Sequence, residues 1–299
     1  MNTQNKTKKH FLLDHPILTG IVMYVIQQAL FIGIYSQTIL LIQDPMISSA
    51  LACLINAGSA LVIALLMKMR LKNGYTLGFT GKNFLKSLML GWPFVAMIIA
   101  QALLGSYNFD VIAQSTVSSV LTALFMALSA GGMEEILFRS AVANNMMRVW
   151  FDKKNGIYAA MFVSAAIFGV VHLTNGLVAG LTLNLLFQVG YAFGLGVLFA
   201  GIYFRTKNLW GCILLHSLFD FPSFLSTAGT TTAESVKQIV GGTVDIPTMI
   251  FNLAVTVIGI GVGLYLARPA KHEEIKANFA PADAEKEETV SKKMAAQAA

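Results

Sequence analysis

Met133-Glu134-Glu135-Ile136-Leu137-Phe138-Arg139 sets two carboxylates and a guanidinium inside a run that is otherwise apolar, from Leu121 to Leu128 before it and from Ser140 to Val142 after it. On insertion scales a charged side chain at mid-bilayer depth costs roughly 2.5–3.5 kcal/mol, and each Leu, Ile, Phe or Val contributes only about 0.3–0.6 in return. The three charges therefore cost roughly 8–10 kcal/mol, against about 3–5 from the nine strong hydrophobes between Val117 and Phe138. Such a helix persists in lipid only if other helices bury its polar face. The rest of the chain should supply them.

Composition agrees. Hydrophobic residues make up 56% of the 299 residues and charged ones 12%, with a mean hydropathy of +0.66. A soluble domain carries about a quarter charged residues, so the reading is an all-α, polytopic membrane protein. About 20 apolar residues span a bilayer. On that criterion eight helices are expected, near 17–42, 47–69, 84–105, 115–148, 157–174, 177–204, 209–226 and 246–267. The first carries Gln27, Gln28 and Gln37 and lacks a small-residue cleavage pattern, so it reads as an uncleaved span. Residues 1–114 then hold three spans and 115–226 the segment with the charged motifs. An outer loop and the last span follow over 227–270, and 271–299 is expected to be a disordered cytoplasmic tail.

The net charge of +6 is a topology signal. With both termini cytoplasmic, the inner segments hold Lys6, Lys8, Lys9, Lys68, Arg70, Lys72, Lys82, Lys86, Arg148, Lys153, Lys154, Arg205, Lys207, Arg268 and five tail lysines, whereas the outer segments hold Lys237 alone. Trp92, Trp150 and Trp210 fall at the same inner interface. The expected surroundings are membrane lipids, with no nucleic-acid partner. Cys53 and Cys212 lie in apolar runs and read as small buried hydrophobes.

Residues four apart share a helix face, so Glu135 and Arg139 can pair, while Glu134 should point about 100° away, free for another task. His172 closes Phe168-Gly-Val-Val-His172, and His216 opens His216-Ser-Leu-Phe-Asp220, again four apart. Taken singly, each histidine reads as a satisfied core residue and Glu135–Arg139 as a packing pair. Together inside one bilayer they read as a functional site. Their chemistry is water activation: a carboxylate base, imidazoles that hold water and stabilise an oxyanion, and a second carboxylate to orient them. Alternatively Glu134, His172, His216 and Asp220 are candidate ligands for a divalent metal such as zinc. Sequence leaves the cofactor open between a metal and none.

The ordered triple Glu134-Glu135-x-x-x-Arg139, Phe168-x-x-x-His172 and His216-x-x-x-Asp220 resembles the CAAX protease and bacteriocin-processing family. This is the Abi-type group of intramembrane proteases that includes the type II CAAX prenyl endopeptidase. The resemblance covers roughly residues 115–226. It implies an endopeptidase for membrane-associated peptide or protein substrates in which Glu134 activates water and His172 and His216 complete the site, with Glu135 and Arg139 holding the helix and the substrate carboxylate region. It also points to a bacterial cell membrane. Asp220 departs from the commoner family form, which has Asn there. Non-proteolytic bacteriocin-immunity or scaffold roles are the alternative, since family members are linked to them. A proton-coupled transporter is a third reading, weakened by the lack of a visible repeat.

One tension stands out. At about 1.5 Å per residue, His216 lies roughly 10 Å from the start of its helix at Leu209, whereas His172 lies more than 20 Å from Ile157. Equal depth requires the fifth helix to start deeper, tilt, or follow a loop that dips into the membrane.

Overall fold

We analysed a computed structural model that describes residues 11–39, 41–42, 44–71, 75–227, 230 and 232–280. All described regular structure is helical. The eight expected segments are each helical, but they are unequal. Six helices are long and apolar enough to cross a membrane: Pro16–Gln37, Pro45–Leu71, Val117–Trp150, Gly156–Ala179, Leu183–Thr206 and Ile246–Leu266. Phe84–Leu90 and Trp92–Leu103 form a broken unit bent by 46°. The bend falls at Gly91, where Leu215 leaves no room for a side chain. The eighth, Leu209–Leu225, is a shorter apolar helix. This is a multi-pass integral membrane protein.

We number the main helices α1 (Pro16–Ile39), α2 (Pro45–Leu71), α3 (Phe84–Leu90), α4 (Trp92–Leu103), α5 (Val117–Glu134), α6 (Asn144–Trp150), α7 (Gly156–Val171), α8 (Leu183–Thr206), α9 (Leu209–Leu225), α10 (Ile246–Leu266) and α11 (His272–Phe279). Between α5 and α6 the chain stays helical, but over Glu135–Ala143 it widens into a π-helix. Starts follow capping chemistry: Thr116, Thr182, Asn208 and Asp245 each accept a backbone N–H from the first turn of the helix they precede. In lipid an uncapped N–H has no water to turn to, so these residues define where each helix begins.

Close packing binds the layers. A Cβ on Gly259 of α10 would lie 2.5 Å from the carbonyl oxygen of Gly194, and one on Gly263 would lie 2.7 Å from that of Val197. The two glycines, four apart, therefore let α10 meet the α8 backbone directly. Polar groups join α1, α2 and α5: buried Gln27 donates to Asn56 Oδ1 (2.7 Å) and Ser59 Oγ (3.1 Å), and Asn56 donates to Ser129 Oγ (3.1 Å). Gln28 donates in turn to Gln27 Oε1. Gln27 and Gln28 of the first span are thus satisfied by neighbouring side chains, whereas Gln37 is exposed.

The depth mismatch is resolved at the seventh helix. The segment before α3 tucks into the bundle as extended chain rather than lying beneath it. Leu77 O accepts from Ser140 Oγ (2.7 Å) and Tyr203 Oη (3.3 Å), and Thr76 O accepts from Asn144 Nδ2 (2.9 Å). Gly78 O accepts from Leu209 N (2.8 Å), the first residue of α9. Helix α9 therefore begins level with Ser140 and Asn144, whereas α7 begins just past Trp150. Ten residues of helix separate those levels, roughly 10–15 Å. A dipping loop is the answer, but under α9 rather than α7.

The chain after α10 docks at this end of the bundle, against α8 and the residue Lys207 that precedes α9. The tail expected to be disordered instead opens with α11, which is docked; residues 281–299 lie outside the described residues, as do Lys6, Lys8, Lys9 and Lys72. Ile275 is fully buried, Asn278 donates to Phe204 O (2.9 Å), and the Phe279 ring sits 3.5 Å under the Lys207 ammonium, which donates to Asn144 Oδ1. Hydrophobic Ile275 and Phe279 lie on one face of a short helix whose other residues are mostly polar. A mean-composition reading of 271–299 hides that pattern.

Glu274 accepts from Lys86 (2.6 Å) and Arg205 (3.1 Å), tying α11 to α3 and α8. Partial burial alone would raise its carboxyl, but these two cations outweigh it and hold it near 2, below its ordinary 4.5. A depressed carboxyl stabilises the fold above its unfolded value and loses that contribution as pH falls through its folded one. The stability margin of wild type over Glu274→Gln should therefore be full at pH 5 and above and vanish as pH approaches 2. Thermal melts of both proteins in detergent, or hydrogen exchange of residues 272–279 across that range, will show it. A margin independent of pH would refute the assignment.

Candidate active site

The site is built on the widened turn after α5. Arg139 and Glu135 both have no exposed side-chain surface, and Arg139 Nε lies 3.0 Å from Glu135 Oε2, within ion-pair reach but out of line for a hydrogen bond. The guanidinium is wedged between the rings of Phe168 (4.6 Å to the centroid) and Phe199 (5.3 Å). Cation–π attraction to two rings replaces the hydrogen bonds it lacks among the described residues. Glu135 thus carries a charge clamped from one side, and its other oxygen, Oε1, lies 2.9 Å from His216 Nδ1. A carboxylate only accepts, so Nδ1 carries the proton and donates it to Glu135.

That contact fixes the imidazole so that Nε2 faces out of the bond. There it lies 3.5 Å from Glu134 Oε2 and 3.5 Å from Asp220 Oδ2. Glu134, about 100° round the helix from Glu135, thus reaches the opposite edge of the same ring. Adjacent glutamates grip opposite edges of one ring, because an imidazole presents its two nitrogens in divergent directions. Exposure grades outward: Glu135 is 0% exposed, His216 7%, Glu134 17% and Asp220 25%. The inner pair is sealed and the outer carboxylates are partly exposed, with Glu134 Oε2 itself buried against His216.

His172 joins from the end of α7, at the start of a 3-10 turn, His172–Asn175. Its Nδ1 lies 2.8 Å from Phe168 O. A carbonyl accepts, so Nδ1 is the protonated nitrogen and Nε2 keeps its lone pair. The Phe168 ring lies edge-on to both histidines, 4.9 Å from His172 and 6.1 Å from His216. Arg139, His172 and His216 thus meet around Phe168, while Glu135 joins them through Arg139 and His216, and Glu134 and Asp220 through His216.

Two contributors carry no signal in the sequence. Phe199, on α8, stacks on His216 at 5.0 Å and covers Arg139, yet in the chain it is one apolar residue among many. Gly131 is the other. A Cβ there would lie 2.5 Å from Ser217 Oγ, 3.0 Å from Ser217 N and 3.2 Å from Ile213 O, so glycine alone lets α9 approach α5 closely enough for the 2.9 Å contact between Glu135 and His216. Gly131→Ala should lower the thermal midpoint by an amount corresponding to about 1–3 kcal/mol of overpacking and cut turnover. Adding Ser217→Ala should not restore it, since backbone atoms also stand in the way. Recovery in the double variant would show that the hydroxyl alone was the obstacle.

Residues 114–222 match the family described as type II CAAX prenyl endopeptidase Rce1-like. The segment is a domain of the CAAX protease family. Comparison with curated proteins gives no match, nor does comparison with solved structures. The Rce1-like domain begins just before α5, ends within α9, and contains every residue of the site described in this subsection. Its family is a protease family, which gives the chain a protease-type function in general terms. Among the described residues no three His, Cys, Asp or Glu side chains are placed to hold one metal ion. Glu134, His172, His216 and Asp220 therefore do not form a ready ligand set, and no step below passes through a metal.

Proposed function

We propose that this protein is an intramembrane endopeptidase that hydrolyses a peptide bond of a membrane-associated substrate with water activated by Glu134. The observation that carries the reading is the His216 imidazole, held at Nδ1 by a sealed Glu135–Arg139 pair and presenting Nε2 to two partly exposed carboxylates. A merely structural ion pair has no need of that outward gradient.

In this scheme Glu134 removes a proton from water, and the hydroxide oxygen bonds to the scissile carbonyl carbon. With Glu135 at Nδ1 and two carboxylates at Nε2, His216 acts in this scheme as the doubly protonated imidazolium, and its Nε2–H stabilises the oxyanion that forms. His172, with its Nε2 lone pair free, accepts a hydrogen bond from the same water and fixes its approach. As the C–N bond breaks, Glu134 hands its proton to the departing amine, which balances the step. Asp220, 3.5 Å from His216, steadies the imidazole proton. The prenyl group is not part of the reading: nothing in the site distinguishes prenylated from unprenylated substrates.

The test is direct. Purified protein in detergent is offered membrane-anchored peptides with and without a prenyl-cysteine, and new amino termini are sought by mass spectrometry. Cleavage of either supports the proposal. No cleavage of a broad peptide set by well-folded protein would favour a scaffold or immunity role.

A further inference from the structure

The basic end of the bundle holds a polar cavity, of about 120 Å³, between the turn after α6 and the docked helix α11. Lys153 and Lys154 line it from the turn, and His272 and Lys276 from α11; Asp152 is the one carboxylate in its wall. Three lysines against one aspartate leave the cavity strongly cationic. Neighbouring cations are compensated: Lys86, Arg205 and Lys271 share Glu274, and Arg148 pairs with Asp14 at 3.1 Å. Among the described residues Lys153 and Lys154 have no ion-pair partner, and Lys276 meets only Glu273, on the exposed side of α11. His272 donates to Ala267 O and packs edge-on against Tyr158, which fixes its ring in the wall.

The cavity's height decides what fills it. It is lined by the last residues before Gly156, the first residue of one membrane-crossing helix, and follows Trp150, the last of another. Helix ends marked by Trp and Lys lie at the level of lipid headgroups. We propose that this cavity binds a phosphate group, supplied by the headgroup of an anionic phospholipid. The lipid would bridge the turn and α11, two elements joined to each other by few direct polar contacts.

Full-length protein in detergent is titrated with phosphatidylglycerol, with phosphatidylcholine and with inorganic phosphate, and bound lipid is counted by native mass spectrometry. The expected result is retention of phosphatidylglycerol but not phosphatidylcholine, with inorganic phosphate a weak competitor. Each lysine near an anionic headgroup contributes about fivefold, so Lys153→Gln with Lys154→Gln should weaken phosphatidylglycerol binding about 30-fold, whereas Lys68→Gln, at another helix end, leaves it unchanged. Equal retention of both lipids, or wild-type binding in the double variant, would overturn the site. Inorganic phosphate binding as tightly as the lipid would overturn the headgroup as its source. None of these readouts depends on peptide hydrolysis, so this site and the protease reading fail separately.

Discussion

Replacing Glu134 with glutamine is expected to leave the protein folded and to remove peptide hydrolysis. Gln is isosteric and, at 17% exposure, the position is not sealed, so loss of the charge leaves no orphaned buried ion. What it removes is the base. General-base catalysis contributes about 10²–10⁴-fold, and turnover should fall by at least that range with the thermal midpoint within a degree or two of wild type. Turnover that survives Glu134→Gln would end the mechanism drawn here, because no other exposed carboxylate besides Asp220 meets the His216 Nε2 edge among the described residues. His172→Ala should act in the same direction more weakly, since it places the water without taking its proton.

The second large effect is at Arg139. Arg139→Ala removes a guanidinium from between Phe168 and Phe199 and leaves the fully buried Glu135 with His216 alone. Breaking one partner of a buried pair costs about 3–5 kcal/mol, so this variant should unfold far more readily and lose activity with it. The control separates fold from chemistry. Glu135→Gln combined with Arg139→Met removes both charges and fills the volume, and such replacements are often neutral for stability. The double variant should recover its thermal midpoint but not its turnover, because His216 Nδ1 no longer meets a carboxylate. Recovery of both would make the pair packing alone. Arg139→Lys tests the aromatic clamp: an ammonium keeps the charge but lacks the flat face that two rings enclose.

Much of this was legible in the chain. The cost of placing Glu134, Glu135 and Arg139 in lipid demanded partner helices, and the hydropathy runs located them. The four-residue spacings brought Glu135 to Arg139 and His216 to Asp220. The positive-inside pattern set basic residues at one end, and the contacts of Lys86, Arg205, Lys207 and Arg148 join that end. Spacing alone gave Glu134 a direction from the helix axis but not which edge of the His216 ring it would meet. It also missed α11, whose apolar contacts are only Ile275 and Phe279.

The sequence by itself determined that this is a helical membrane protein with ionisable groups buried in its fourth, fifth and seventh helices, because insertion energy adds up locally along the chain and needs no partner to be read. Only the tertiary structure decided the heights at which those helices sit. The extended chain around Leu77 lifts α9, Gly131 draws it against α5, and Phe168 and Phe199 enclose the charge between them. Each is a contact between residues far apart in the chain, and no local pattern records it.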